Sequence, residues 1–259
     1  KNKYQFLFFN KDLMLEKEHI KYFKNELYRQ KSFWDRLGGK PSFKDKTVLD
    51  FGCGHGAMCL DIAKDNPKKV IGIDLDPSYI DFANENLIKN YPEYKDKIDF
   101  KLIDINNWET ENKFDYIVSK ETFEHTLDLD KVLNSMYNIL IPNGKIYSGF
   151  GPLYNFFNGD HGRTGLIFPW LHLFFSESYL VKRINRRQKK QINSIRDLGL
   201  NMYSLSNYLS IFNNSKFHVS MLEKNSSNNP ISLIFKLMSK IKFLEEFSTF
   251  NIFIILQKK

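Results

Sequence analysis

Val48-Leu-Asp50-Phe-Gly52-Cys-Gly54-His-Gly56 decides how this chain is read. The apolar run from Thr47 to Phe51 predicts a short buried strand, and three glycines at alternate positions end it. Without Cβ atoms such a loop turns sharply and lets its backbone approach a ligand closely. The residues beyond predict a helix whose first N–H groups face the same crevice. Downstream, Ile71-Gly-Ile-Asp74 repeats the strand pattern and ends on a carboxylate. A carboxylate there suits the hydroxyls of a ribose, as in nucleotide-binding α/β folds generally.

Outward from this loop the pattern alternates. Upstream, Ile20, Phe23, Leu27, Trp34 and Leu37 predict an amphipathic helix over 13–37, stopped by Gly38-Gly39-Lys-Pro41. Downstream come a strand at Val70–Asp74 and a helix opened by Asp76-Pro77-Ser78 with Ile80, Ala83 and Leu87 on one face. Strands follow at Ile98–Leu102 and Tyr116–Ser119, and a helix through Leu129, Leu133, Met136 and Leu140. Asn143-Gly144 predicts a turn into a fifth strand, Lys145–Gly149. The alternation lapses over 152–203. It resumes with a helix near Ser206–Phe212, a strand near Phe217–Met221, a polar loop at Asn225–Asn229, a helix over 231–247 and a last strand, Asn251–Leu256. Alternating strands and helices predict a parallel sheet covered on both faces.

The glycine spacing is informative about the ligand. Dinucleotide sites use G-x-G-x-x-G, whereas here Asp50 precedes Gly52-x-Gly54-x-Gly56. An acid before the glycines repels a pyrophosphate and suits an ammonium group. This D-x-G-x-G-x-G pattern resembles motif I of the class I S-adenosylmethionine-dependent methyltransferases. The resemblance continues in Phe100-Lys-Leu-Ile-Asp104, in Lys113-Phe-Asp115-Tyr-Ile-Val-Ser119 with Glu124-His125, and in Leu140-Ile-Pro-Asn-Gly144-Lys, where Asn143 replaces a glycine. It covers 47–150 closely and 204–258 loosely.

The resemblance implies a Rossmann-like α/β fold with a seven-stranded, mostly parallel sheet. A single domain is expected: a helical cover (1–46), a cofactor-binding core (47–151), a substrate-side insertion after strand five (152–203) and the C-terminal part of the sheet (204–259). It implies S-adenosylmethionine as cofactor and S-adenosylhomocysteine as product. Asp50 would meet the ammonium group, Asp74 the ribose and Asp104 the adenine amino group. Gly52, Cys53, Gly54, His55, Gly56, Leu75, Ile105 and Ser119 would complete that site. Asp76 is expected to cap its helix, and Cys59 to pack in a helix core.

Methyl transfer from a sulfonium is an in-line displacement that needs alignment and desolvation. A hydroxyl acceptor gains from a general base, and the six histidines supply candidates near neutrality. His161 follows strand five, over the carboxyl ends of the strands where ligands bind in open α/β sheets, and is the leading base. His125 is second, and Asp160 either orients an imidazole or orders its glycine-rich loop. Asp160 and His161 with Glu121 or Glu124 offer a metal alternative without clear ligand spacing, so no metal is expected. His19 and His218 read as structural or surface residues. Tyr154, His172, Arg183 and Arg186 are the substrate-side candidates.

Ser119-Lys-Glu-Thr-Phe replaces the N/D-P-P-Y/F tetrad that clamps a planar exocyclic amine, which disfavours nucleobase methylation. The chain carries 38 Lys+Arg against 30 Asp+Glu, a net +8, which alone would suggest nucleic acid. Lys182, Arg183, Arg186, Arg187, Lys189 and Lys190 supply six of those eight charges without an intervening acid. This points to one basic segment rather than a basic protein, and no nucleic-acid partner is expected. The expected acceptor is a small molecule or glycan, with a phosphorylated one among the options, first of all a sugar or sugar-nucleotide hydroxyl in bacterial surface-glycan or metabolite biosynthesis. A small amine, an RNA and a noncatalytic cofactor-binding scaffold are the alternatives.

Cys53 and Cys59 are the two cysteines, too few for a disulfide framework, so a reducing, cytoplasmic setting is the default expectation. Leu166–Leu180, broken by Pro169, His172, Ser176 and Glu177, falls short of the ~20 apolar residues that span a bilayer. Peripheral membrane contact through Phe174-Phe175 stays open. Tyr4–Phe9 is too short for a signal segment, and Lys1 in place of Met fits a trimmed chain or a piece of a longer one.

Overall fold

The computed structural model describes residues 2–188, 191–226 and 230–259. It divides the chain into two compact units, one ending at Glu109 and one starting at Thr110. Thr47–Phe51 forms β1, buried at Val48, Leu49 and Asp50 as its apolar run requires. The first unit also holds α1 (Asn2–Arg36), α2 (Ala57–Ala63), β2 (Lys69–Asp74), α3 (Pro77–Asn90) and β3 (Ile98–Leu102). β1, β2 and β3 are parallel, with Leu49 beside Ile71 and Ile71 beside Asp99. Gly72 is required inside β2, because a Cβ there would come within 2.8 Å of Cys59 Sγ and of the Phe100 ring. Asp76 caps α3 by accepting from Ser78 N at 2.9 Å, with Pro77 fitting the first turn.

α1 begins earlier than the predicted residue 13. No glycine or proline interrupts the chain before Gly38, so nothing stops the helix from extending towards the N-terminus. Phe23, Phe33 and Trp34 are its buried apolar side, with Leu37 buried just past its end, and Trp34 Nε1 donates to Asp61 Oδ2 at 2.9 Å.

The second unit contains β4 (Phe114–Lys120), α4 (Leu129–Ile139), β5 (Leu140–Phe150), α5 (Glu177–Gln188), α6 (Leu205–Asn214), β6 (Phe217–Lys224), α7 (Pro230–Met238), α8 (Lys242–Ser248) and β7 (Ile252–Lys258). β4 and β5 are parallel, while β7 runs antiparallel to both β5 and β6. The seven strands follow the order β3-β2-β1-β4-β5-β7-β6, the expected mostly parallel α/β sheet.

Two predicted elements differ. β5 starts at Leu140 rather than Lys145, because the Asn143-Gly144 signal becomes a bulge instead of a separating turn. Asn143 takes φ 63°, and the register jumps from Phe114↔Leu140 to Tyr116↔Lys145. The helix predicted over 231–247 is two helices, since Ile241 takes an extended conformation and starts α8 afresh. Within 152–203, α5 buries Leu180 and Ile184 against Ile192, Ile195 and Leu200, a small apolar cluster of its own. Of the polar loop predicted at Asn225–Asn229, residues 227–229 lie outside those described, as do Lys189 and Lys190 of the basic segment.

Candidate functional site: a glycine cradle and an imidazole pair

In the first unit the loop after β1 is built on positive backbone angles, with φ 74° at Gly52, 49° at Gly54 and 82° at Gly56. A Cβ on Gly54 would meet nothing within 4 Å, so open space lies over the loop where a ligand can approach. Gly56 is required by packing, because a Cβ would come within 2.4 Å of Phe100. Asp74 ties the crevice together. Its Oδ2 accepts from Gly54 N at 2.8 Å, and its Oδ1 from Leu75 N at 2.7 Å and Asp76 N at 3.0 Å. Asp104 is exposed past the end of β3, where it accepts from Asn106 N at 2.9 Å and Asn107 Nδ2 at 3.0 Å. Leu75 and Leu102 are exposed at the ends of β2 and β3, while Ile105 is buried.

Asp50 is buried, and Cys59 Sγ lies 3.2 Å from its Oδ2, so the thiol donates to the carboxylate. Burial, followed by the Asp50 charge, pushes both cysteine thiols up in pKa, so both stay protonated. Nothing there makes Cys53 a nucleophile. His55 is also buried, but its ring packs among His19, Tyr22, Tyr79 and Phe82. His19 Nδ1 and His55 Nε2 are 2.6 Å apart and share one proton. Burial and then His19 lower His55 to about 4. The His55 side chain, expected at the cofactor, is thus engaged within this aromatic cluster. The open cradle, the Asp74 carboxylate and the two exposed leucines fit an amino-acid head, a ribose and an adenine.

The second unit assembles a different group. His125 Nδ1 lies 2.7 Å from Gly199 O and His161 Nε2 lies 3.1 Å from Pro152 O. A carbonyl oxygen accepts only, so each of these nitrogens carries the proton. That leaves His125 Nε2 and His161 Nδ1 as lone-pair nitrogens, on rings 5.1 Å apart and edge to face. Burial, and then the neighbouring His125, lowers His161 to about 4, while burial lowers His125 as well. Both imidazoles are neutral at pH 7.

Asp160 does not grip His161. It is buried and orders the loop, its Oδ1 accepting from Gly162 N at 3.2 Å and its Oδ2 from Thr164 Oγ1 at 2.5 Å. His172, expected on the substrate side, is buried and donates Nε2–H to Tyr154 O at 2.7 Å, which makes it a support beneath Tyr154. Ser119, expected at the cofactor, is fully buried inside the sheet opposite Ser148, and neither hydroxyl has a hydrogen-bond partner. Among the described residues no group of three or more His, Cys, Asp or Glu is arranged to hold a metal ion.

Two further residues complete the second unit's site: Glu124, read from sequence only within a motif and as a metal-ligand alternative, and Asn201, which sequence patterning missed. Glu124 is buried, accepts from Gly151 N at 3.1 Å through Oε1, and leaves Oε2 unpaired. Burial raises it to about 8, so it is a neutral acid at pH 7. Asn201 is buried and saturated: Nδ2 donates to Phe123 O at 2.7 Å and Thr126 O at 3.1 Å, while Oδ1 accepts from Tyr208 Oη at 2.9 Å and Tyr203 N at 3.0 Å. It fixes the loop that carries His125.

α5 adds a cationic groove of about 380 Å³ lined by Tyr179, Lys182, Arg183, Arg186 and Arg187. The carbonyl of Gly165 accepts from Arg183 Nη2 at 3.4 Å and Arg187 Nη1 at 2.8 Å, anchoring two of the guanidiniums. Among the described residues no helix is long and apolar enough to cross a membrane.

Comparison with known proteins agrees with this geometry. Residues 42–150 match a family model described as a methyltransferase domain. Phosphoethanolamine N-methyltransferase 3 of Arabidopsis thaliana is 36% identical over 117 residues, 45% of this chain and 22% of that protein. Malonyl-[acyl-carrier protein] O-methyltransferase 1 of Ilyobacter polytropus is 32% identical over 112 residues, 42% of this chain and 40% of the relative. The aligned stretch thus covers less than half of either relative. Among solved structures, a putative S-adenosylmethionine-dependent methyltransferase from Listeria monocytogenes superposes with TM-score 0.57 at 18% identity, over 88% of this chain and 98% of that one. Geranyl diphosphate C-methyltransferase from Streptomyces coelicolor A3(2), solved with Mg2+, geranyl diphosphate and S-adenosyl-L-homocysteine, gives 0.58 at 16% identity over 94% and 84%. Residues 42–150 thus match a methyltransferase domain, and the chain has the fold of S-adenosylmethionine-dependent methyltransferases.

Proposed function

We propose that the chain transfers a methyl group from S-adenosylmethionine to a hydroxyl of a small anionic acceptor, first of all a sugar or sugar nucleotide. When bound, the cofactor supplies an electrophilic methyl on a sulfonium. Gly52–Gly56 would cradle its amino-acid portion beside Asp50. Asp74 would accept from the ribose and Asp104 from the adenine amino group, with Leu75 and Leu102 beside the ring. The observation that carries the hydroxyl reading is the imidazole pair, whose tautomers are set by Gly199 O and Pro152 O. Each ring offers one free lone pair at neutral pH, so His161 Nδ1, or His125 Nε2, takes the proton as the acceptor oxygen attacks. Their lowered pKa keeps them unprotonated, at the expense of driving force for proton transfer. The α5 groove supports an anionic acceptor, since guanidiniums match phosphate geometry.

A phosphorylated amine is the second reading, favoured by the same groove together with the named phosphoethanolamine relative. Titration calorimetry with S-adenosylmethionine tests the shared premise, and folded protein that fails to bind it overturns both readings. Mass spectrometry of a panel of sugar nucleotides, phosphosugars and phosphoamines should then show one acceptor gaining a CH2. An acceptor methylated at nitrogen, with His161→Ala and His125→Ala both fully active, would refute the hydroxyl reading.

A further inference from the structure

The second unit carries an apolar surface that its own core does not use. On α7 the usual arrangement is inverted: Ser232 is buried, whereas Leu233, Ile234 and Leu237 are exposed. Phe235 provides the inward anchor, its ring stacked on Phe157 at 5.7 Å and edge to face with Phe156 at 4.7 Å and Trp170 at 6.5 Å. Trp170 in turn donates Nε1–H to Phe247 O at 3.1 Å, fastening the 156–172 loop to α8. Around these anchors the exposed set continues with Ile167 and Phe168 before Trp170, Phe174 after it, and Ile241 and Phe243 at the start of α8. Ile167 is 87% exposed and Phe243 78%, so these are not edges of core residues. Eight exposed apolar side chains gathered on segments tied together by Phe235 and Trp170 differ from the singly scattered ones of an ordinary surface.

Along α7 and the start of α8 the charge has one sign, while the exposed Glu177 after the 167–174 loop is engaged by Ser194 Oγ and Ile195 N. Lys236, Lys240 and Lys242 are exposed between the apolar positions, with no acid between Pro230 and Leu244. The next acids are already engaged: Glu245 pairs with Lys224, and Glu246 Oε1 accepts from Asn155 Nδ2 at 2.9 Å and Leu205 N at 2.7 Å. Leucine, isoleucine and phenylalanine set among unopposed lysines match an interface that is greasy below and negative above. A two-fold contact between copies would bring lysines against lysines.

We propose that α7, the start of α8 and the Ile167–Phe174 loop dock on the surface of an anionic lipid bilayer. The proposal is independent of the acceptor reading. The chain would lie on the membrane with Phe168, Phe174, Leu237 and Phe243 among the acyl chains and the three lysines at the headgroups.

The test is co-sedimentation of the full chain with vesicles of mixed phosphatidylcholine and phosphatidylglycerol, against phosphatidylcholine alone. Binding is expected to the anionic vesicles, weakened by added salt and nearly absent with the neutral ones. Ile234→Ser with Phe243→Ser, and separately Lys236→Glu with Lys240→Glu and Lys242→Glu, should each lower partitioning by about tenfold or more. All five positions are exposed, so circular dichroism and melting temperature should stay at the parent values. Failure to sediment with the anionic vesicles, equal binding to both kinds, or indifference to both variants would overturn the proposal. So would a concentration-dependent dimer in sedimentation velocity that Ile234→Ser with Phe243→Ser abolishes, which would assign the face to a second copy.

Discussion

At the level of single residues, Gly54 and Asp74 give the most direct test of the proposed cofactor site. Gly54 holds φ 49° under open space while its N–H is committed to Asp74. An alanine there pays about 1 kcal/mol for the left-handed backbone and sends a methyl into the space a ligand would occupy. Gly54→Ala is expected to leave the fold intact, with a slightly lower melting temperature. It should weaken S-adenosylmethionine by about tenfold or more, read by calorimetry. Unchanged affinity would mean that the ligand does not approach this loop. The glycine turn after β1 and the carboxylate ending β2 were legible in sequence because each follows directly on its strand. Asn201 was not, since its partners Phe123 and Thr126 lie 78 and 75 residues away and no local pattern joins them. Asp160 was read with two options, and the hydroxyl of Thr164 four residues on settled which bond it makes.

Among the elements, α3 offers the cleanest local test. Asp76 accepts from both Ser78 N and Ser78 Oγ, at 2.9 and 2.6 Å, and these bonds hold its carboxyl below the usual range. Asp76→Ala should cost about 1 kcal/mol in urea unfolding, whereas Asp76→Asn should retain most of that. A loss below a few tenths would show that Pro77 alone sets the helix start. Strands with short apolar runs, such as β1 and β3, were read at both ends, and the start of α3 was read from its cap signal. Where a turn signal sits inside a longer pairing, the register of the neighbouring strand decides, and Asn143-Gly144 was absorbed as a bulge. The break between α7 and α8 carried no Gly or Pro, so periodicity ran straight through it.

For the molecule as a whole, the buried titratable groups predict a stability optimum. His55 and His161 sit at about 4 in the folded chain, below the ordinary 6.5. The unfolded chain therefore binds protons that the folded one refuses between those values, and stability falls as pH drops through that window. Glu124 has the opposite sign. Folded, it keeps its proton up to about 8 against an ordinary 4.5, so its contribution fades as pH rises between them. Two histidines outweigh one glutamate on the acid side, which puts the maximum near pH 6.5. Urea midpoints measured across this range should peak there, and Glu124→Gln should flatten the alkaline fall. A midpoint that climbs steadily to pH 9 would contradict the burial of Glu124.

The strand order has a consequence for how the chain comes off the ribosome. β7 lies between β5 and β6, so the last strand of the sequence supplies the neighbour of both. Ile252–Lys258 must clear the exit tunnel before Phe217–Lys224 has any ladder to join. Until then β5 presents an open edge, and β6 waits as a free ribbon with half its hydrogen bonds unmade. The first unit can order while it is still tethered to the ribosome. The second closes only once Ile252–Lys258 has emerged, and chaperone demand should be greatest in the interval before that.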